Sequence, residues 1–239
     1  NFSGPAEAFV FSSALGSVIT SVMVTGLAFI GQVSSLTCWW VLAILLFSGI
    51  GSLRDCRQWP ERFMAGLASP VFFPLSPLKT AVQIILGILV LLALSLALAP
   101  AFATDALVYH LAVPKAFLEA GGIINLPNNV FSFYPQHMEM LYLFGLALGT
   151  DHLAQLSGLG IVFLLLIALY QNYRQKGSVT YALLVPAVFL STPAFFTVAY
   201  SAYVDLQTAA YVFLSFYAWE NWRTRKQTGW FYLMTVFVG

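Results

Sequence analysis

Apolar runs of bilayer-crossing length alternate along this chain with short polar interruptions. A spanning helix needs roughly 20 predominantly apolar residues, and runs that meet or approach that length lie at 9–30, 36–53, 81–101, 153–170, 178–191 and 203–222. A last run, 229–239, stops at about half the required length. The stretch 138–148, only about eleven residues, is too short to cross and is expected to form a helix at the membrane interface. The pattern therefore predicts an all-α fold, a polytopic transmembrane helical bundle with interfacial helices in one large loop at 102–150.

The basic residues orient this bundle. Nine of the ten Lys and Arg side chains fall in three places: Arg54, Arg57, Arg62 and Lys79; Arg174 and Lys176; Arg223, Arg225 and Lys226. The positive-inside rule puts all three on the cytoplasmic face. The run 81–101 then crosses outward, the loop 102–150 lies on the exoplasmic side, and 153–170 is the single crossing back. Thr192-Pro193 reads as a helix start, with Thr192 as cap and Pro193 in the first position. Counting back from Arg223 at 1.5 Å per residue places Asp205 roughly 27 Å away, near the exoplasmic boundary. Asp105 is on that side too, so two acids far apart in sequence are expected at one depth.

Composition agrees with the pattern: 60% of residues are hydrophobic, 8% are charged, and the mean hydropathy is +0.85. That is the composition of a helical membrane protein. A net charge of +1 offers no basic surface to neutralise phosphates, which excludes nucleic acid as a partner. The first residue is Asn1 and the last run is half a span, so the sequence is expected to be a fragment lacking C-terminal spans. Neither end shows the basic region, apolar core and small-residue cleavage site by which a removable signal peptide would be expected.

Against this apolar background, Asp105, Tyr109, His110, Lys115 and Glu119 gather within fifteen residues. Polar clusters flanked by membrane-length segments are sites of function by default. Asp105 and Tyr109, four apart, share a helical face; Pro114 imposes a kink and Gly121-Gly122 a stop. Each residue also has a plain structural reading. Asp105 or Thr104 would cap the helix, Lys115 and Glu119 would form a solvated i,i+4 pair, and His110 would be a hydrogen-bonded structural histidine. Further along, His137 and Glu139 either face a cavity or, for Glu139, point to water or headgroups. Thr150-Asp151 reads as an N-cap, and Tyr200 and Tyr203 as an aromatic belt. Asp205 is harder to explain away, because a carboxylate inside a span is costly unless it faces protein or water.

Nucleotide-binding glycine loops, H-E-x-x-H and G-x-S-x-G are all absent, and His110, His137 and His152 lack metal-ligand spacing. Cys38 and Cys56 belong at opposite ends of one span, which rules out a disulfide between them.

The sequence Asp105-x-x-x-Tyr109-His110, followed by Pro114-Lys115, Gly121-Gly122, Tyr134-Pro135 and Leu141-Tyr142, resembles bacterial polytopic glycosyltransferases of the GT-C fold. These are similar to the protein O-mannosyltransferases and the lipid A aminoarabinose transferases. Ala202-Tyr203-Val204-Asp205-Leu206 is similar to the second acidic position of that family. The likeness covers about residues 80–220; here Ala106 follows Asp105 where many relatives carry an Asp-Glu pair. The resemblance implies a polyprenyl-phosphate sugar donor, a lipid, glycan or protein acceptor, and an exoplasmic active site in a bacterial inner membrane. On that reading Asp105 is the general base, and Tyr109, His110, Lys115, Glu139 and Asp205 bind substrate. His110 and Lys115 are candidates to stabilise the leaving phosphate; Asp205 would position sugar or acceptor, or help hold a divalent ion. The competing class is a transporter or lipid flippase with an acidic cavity, although the chain shows no internal repeat.

Overall fold

The computed structural model describes residues 2, 4–49, 76–177 and 179–238. Among them are ten α-helices and no strand. In chain order these are α1 (Pro5–Phe29), α2 (Ser35–Gly49), α3 (Pro77–Ala97), α4 (Ala112–Ala120), α5 (His137–Leu148), α6 (Asp151–Lys176), α7 (Val179–Ser191), α8 (Pro193–Tyr200), α9 (Asp205–Arg225) and α10 (Thr228–Val238). Arg54, Arg57, Arg62 and Cys56, with the end of the run 36–53, lie outside the described residues.

Helices α1, α3 and α6 are long and apolar enough to cross a membrane, and α7 with α8 makes a fourth crossing if the pair is one broken span. That pair bends by 78° between Ser191 and Pro193. The cause is local: Thr192 is extended and Pro193, which has no N–H to continue the ladder, opens the new helix. Thr192 turns its hydroxyl back to Val188 O, at 3.0 Å, and caps nothing.

The run expected at 203–222 begins at Asp205, after a break at 201–204, and is not among the membrane-length apolar helices. Asp205 at its start and Glu220, Asn221 and Arg223 near its end leave only its middle apolar. Asp205 therefore sits in the first turn of a helix and not inside a span, where its charge suits the helix dipole.

Helix α6 forms the centre of the bundle: 56% of its apolar stretch is buried, against 17% for α3. It packs on α1, α3, α5, α7, α8 and α9. Helix α3 turns Ile84, Ile88 and Leu91 outward, and α2 does the same with Trp40 and Phe47. Apolar surface that continuous is stable against lipid tails and not against water, which makes this a membrane protein.

Short as expected, α5 is covered by protein on α1, α2, α4 and α6. Met138, Glu139, Met140, Tyr142 and Leu143 are all buried, as befits a helix whose sequence is apolar on every face. Gly145 lets α5 and α6 touch backbone to backbone, since a Cβ there would lie 2.6 Å from Ala154 N.

These contacts sort the charges to two ends. Helix α6 begins where Asp151 accepts a hydrogen bond from Ala101 N, just past α3, and finishes where Gln175 donates to the Tyr217 hydroxyl on α9. Arg174, Lys176, Arg223, Arg225 and Lys226 thus share one end. Lys79 belongs there too, because α3 runs antiparallel to α6 and Val82 packs beside Tyr170. Asp105 and Asp205 lie at the other.

Candidate functional site

The acidic end is built on a π-helical turn, Ala106–His110, closed by the Leu111 N–H donating to Ala106 O at 2.8 Å. This wide turn takes up the bend expected at Pro114, which falls instead in the first turn of α4, where its missing N–H is harmless. Helix α4 stops at Gly121, whose φ of 76° is left-handed. The Gly121 carbonyl accepts from Val33 N at 3.0 Å, and a Cβ on Gly122 would strike Ala28 O at 2.9 Å. The double glycine thereby clamps the acid-bearing segment onto the end of α1.

The turn directs His110 inward. It is buried, and its Nδ1 lies 2.8 Å from Glu139 Oε1 on α5, itself buried. Glu139 therefore does not point to water or headgroups; a buried carboxylate needs a partner, and His110 is that partner. A carboxylate only accepts, so Nδ1 carries the proton and Nε2 is the ring's other functional atom. The ring stands 4.0 Å from Tyr109 and 5.8 Å from Tyr203. Tyr109 stacks on Phe131 at 4.1 Å, and Asn129 ties that loop to Val108 O at 3.0 Å. The Tyr142 hydroxyl donates to the Tyr203 carbonyl, fastening the start of α9 to α5.

Burial first, then the negative charges of Asp105, Asp205 and Glu139, push the Tyr109 hydroxyl above its usual pKa. Three carboxylates from three separate segments are therefore within electrostatic reach of one tyrosine. Asp105, half-buried, makes no capping hydrogen bond. Among the described residues neither Asp105 nor Asp205 has an ion-pair partner. Lys115 is on the exposed face of α4, 4.0 Å from Glu119, as a solvated pair. Asp151 is the first residue of α6, and Thr150 makes no side-chain cap.

Beside this group lies a cavity of about 420 Å³ between α1, α5, α9 and α10, with Glu139, His137, Thr208 and Tyr211 as its polar wall. Its volume is within the ~300–1,000 Å³ range of small-ligand pockets. Burial lowers the pKa of His137, and the charge of Glu139 opposes this without reversing it. Ser21 donates to His137 O at 2.6 Å, and the Ser17 and Tyr211 hydroxyls share a hydrogen bond at 2.9 Å.

Gln207, two residues after Asp205, was not singled out by the sequence. It is fully buried and neither of its amide atoms has a hydrogen-bond partner among the described residues. A Cβ on Gly158 would be 2.8 Å from the Tyr142 hydroxyl and 2.9 Å from Gln207 Nε2, so glycine makes room for both. The signal was present as an amide in an apolar helix, but nothing in sequence says which neighbour it meets. No group of three or more His, Cys, Asp or Glu among the described residues is placed to hold a metal ion. Comparison with protein-family models, with curated proteins and with solved structures finds no match for this chain.

Proposed function

We propose that this protein is a membrane glycosyltransferase that moves a sugar from a polyprenyl-phosphate donor to an exoplasmic acceptor. The observation that carries the reading is the Asp105 carboxylate: half-buried, without a protein partner, beside Tyr109 and within reach of the charge of Asp205. A partly exposed carboxylate that no protein group engages is open to a substrate's hydroxyl. In the reaction Asp105 takes the proton of an acceptor hydroxyl as that oxygen bonds to the anomeric carbon. The bond from that carbon to the phosphate oxygen breaks, and the polyprenyl phosphate leaves with the electron pair. His110, held by Glu139, is the candidate to stabilise the leaving phosphate. Asp205 positions sugar or acceptor. The basic end faces the cytoplasm by the positive-inside rule, which gives the Asp105 end to the exoplasmic side.

Deletion of the gene tests the reading. A lipid-linked sugar should accumulate, measured by mass spectrometry of extracted lipids, and the purified protein should transfer that sugar to an acceptor in detergent. Purified protein that carries the sugar lipid across vesicle membranes without cleaving its phosphate bond would overturn the glycosyltransferase in favour of a transporter.

A further inference from the structure

The cavity between α1, α5, α9 and α10 has a chemistry of its own. None of its lining residues is Lys or Arg, and its one charged group is the carboxylate of Glu139. The described basic clusters lie at the opposite end of the bundle. A phosphate or carboxylate head would meet a buried negative charge with no cation to offset it, which is strongly unfavourable in a low-dielectric wall.

The polar atoms of the wall are largely committed to protein. The Tyr211 hydroxyl is bonded to Ser17, and Glu139 Oε1 is bonded to His110 Nδ1. Among the described residues, no donor is hydrogen-bonded to Glu139 Oε2. It is an acceptor in want of an O–H or N–H. The remaining wall is apolar: Val18, Met138, Val204 and Val212 lie along it, and Val212 on α9 is 63% exposed.

We infer that this cavity binds an uncharged, hydroxyl-bearing amphiphile, its hydroxyl donating to Glu139 and its apolar chain lying against α1, α9 and α10. On the glycosyltransferase reading such a ligand is an acceptor anchored at Glu139 by one hydroxyl while another gives its proton to Asp105, and that role rests on the reading; the binding itself does not. Because Glu139 is also bonded to His110, an occupant of the cavity is one side chain away from the Asp105 group. A sugar lipid carrying phosphate would be held elsewhere.

Photoaffinity labelling of the full-length protein in lipid nanodiscs tests this without any turnover. The probes are decanol bearing a diazirine on its chain and the phosphate ester of the same molecule. The alcohol should label the segments containing Val204 to Val212 and Val236 to Val238, and excess unlabelled decanol should remove that labelling. The phosphate ester should label the same segments at least about tenfold less, the scale set by one hydrogen bond to a charged group. Thr208→Trp, which fills the cavity from its rim, should reduce alcohol labelling about as much while the variant elutes as wild type on size exclusion. Equal labelling by both probes, labelling that excess decanol does not remove, or a Thr208→Trp protein that labels like wild type would each overturn the inference. Since no sugar is transferred in this assay, a failed transfer experiment and a failed labelling experiment are separate results.

Discussion

The two ends of this bundle treat charge in opposite ways. At the basic end Glu7 is buried at 3% exposure, yet both of its oxygens are engaged: the Tyr217 hydroxyl donates to one at 2.9 Å and Arg225 to the other at 3.4 Å. Gln175 donates to the same tyrosine, and the Arg225 guanidinium lies 5.4 Å from the centre of the Trp230 ring. At the acidic end, Asp105 and Asp205 have no such partners, and their charges bear on Tyr109. A buried charge that is fully paired is accounted for by the fold, since removing either partner would strand the other. Asp205 is exposed and its charge suits the first turn of α9, so the fold accounts for it; Asp105 is half-buried and makes no capping hydrogen bond, so no fold contact explains it. Glu139 stands between the cases, one oxygen paired with His110 and the residue lining a cavity.

The sharpest break of this comparison concerns which end faces out, because the outcome is all or none. In a background free of Cys38 and Cys56, a cysteine at residue 128 should react with an impermeant maleimide in intact cells and a cysteine at residue 176 should not. The reverse result would invert the proposed sidedness. Next in size is Asp105→Asn. Asn is close to Asp as a helix cap and is isosteric, so expression and detergent stability should survive, whereas lost general-base catalysis is worth about 10²- to 10⁴-fold in rate. Transfer should fall at least about a hundredfold, with donor binding retained. Turnover within a few-fold of wild type would return Asp105 to a structural role.

The opposite end should respond in stability and not in rate. Glu7→Ala removes the shared partner of Tyr217 and Arg225, and with Arg225 partly exposed the cost should be about 2 kcal/mol, roughly thirtyfold in the folding constant. Tyr217→Phe deletes the hydroxyl that links Glu7 to Gln175 and should cost less, about 1 kcal/mol. Thermal unfolding in detergent measures both. If Glu7→Ala unfolds like wild type but loses transfer, the division between a structural and a functional end fails.

Much of this division was legible in the sequence. The apolar helix at 9–30, the stop at Gly121, the helix start at Pro193 and the place of Asp205 at the end of its helix away from Arg223 all follow from local rules of length, φ and helix rise, which a chain expresses without knowing its neighbours. What was not legible is tertiary. Glu139 reads as a water-facing acid because its partner is 29 residues away, and Glu7 gives no sign of Arg225, 218 residues on. The short helix 138–148 was recognised as too short to cross, but only packing reveals that protein surrounds it. Asp205 looked like an acid inside a span because the break at 201–204 contains no glycine or proline to announce it.

The smallest effect concerns His137, at the junction of the acidic end and the cavity. Burial lowers its pKa in the folded protein, so the folded form resists a proton that the unfolded chain accepts near pH 6.5. The sign follows from linkage. Between the two pKa values the unfolded state binds more protons, so stability rises with pH there. The contribution is complete above the unfolded value and is lost as pH falls from it toward the folded one, and because the His137 side chain is partly open to solvent, screening keeps it small. The Ser21 hydroxyl lies 3.3 Å from His137 Nδ1, the Tyr211 ring packs edge-on at 5.5 Å, and the charge of Glu139 does not reverse the direction. The Ser21 hydroxyl also donates to the His137 backbone carbonyl at 2.6 Å, so His137→Asn keeps that anchor; losing the ring contacts shifts stability equally at every pH, and only the slope with pH reports the titration. Unfolding midpoints measured from about pH 7.5 to pH 5.5 should therefore fall more steeply for wild type than for His137→Asn. A wild-type protein that gains stability relative to the variant on acidification would mean that His137 is protonated on folding, held by Glu139, and that the cavity wall carries a cation after all.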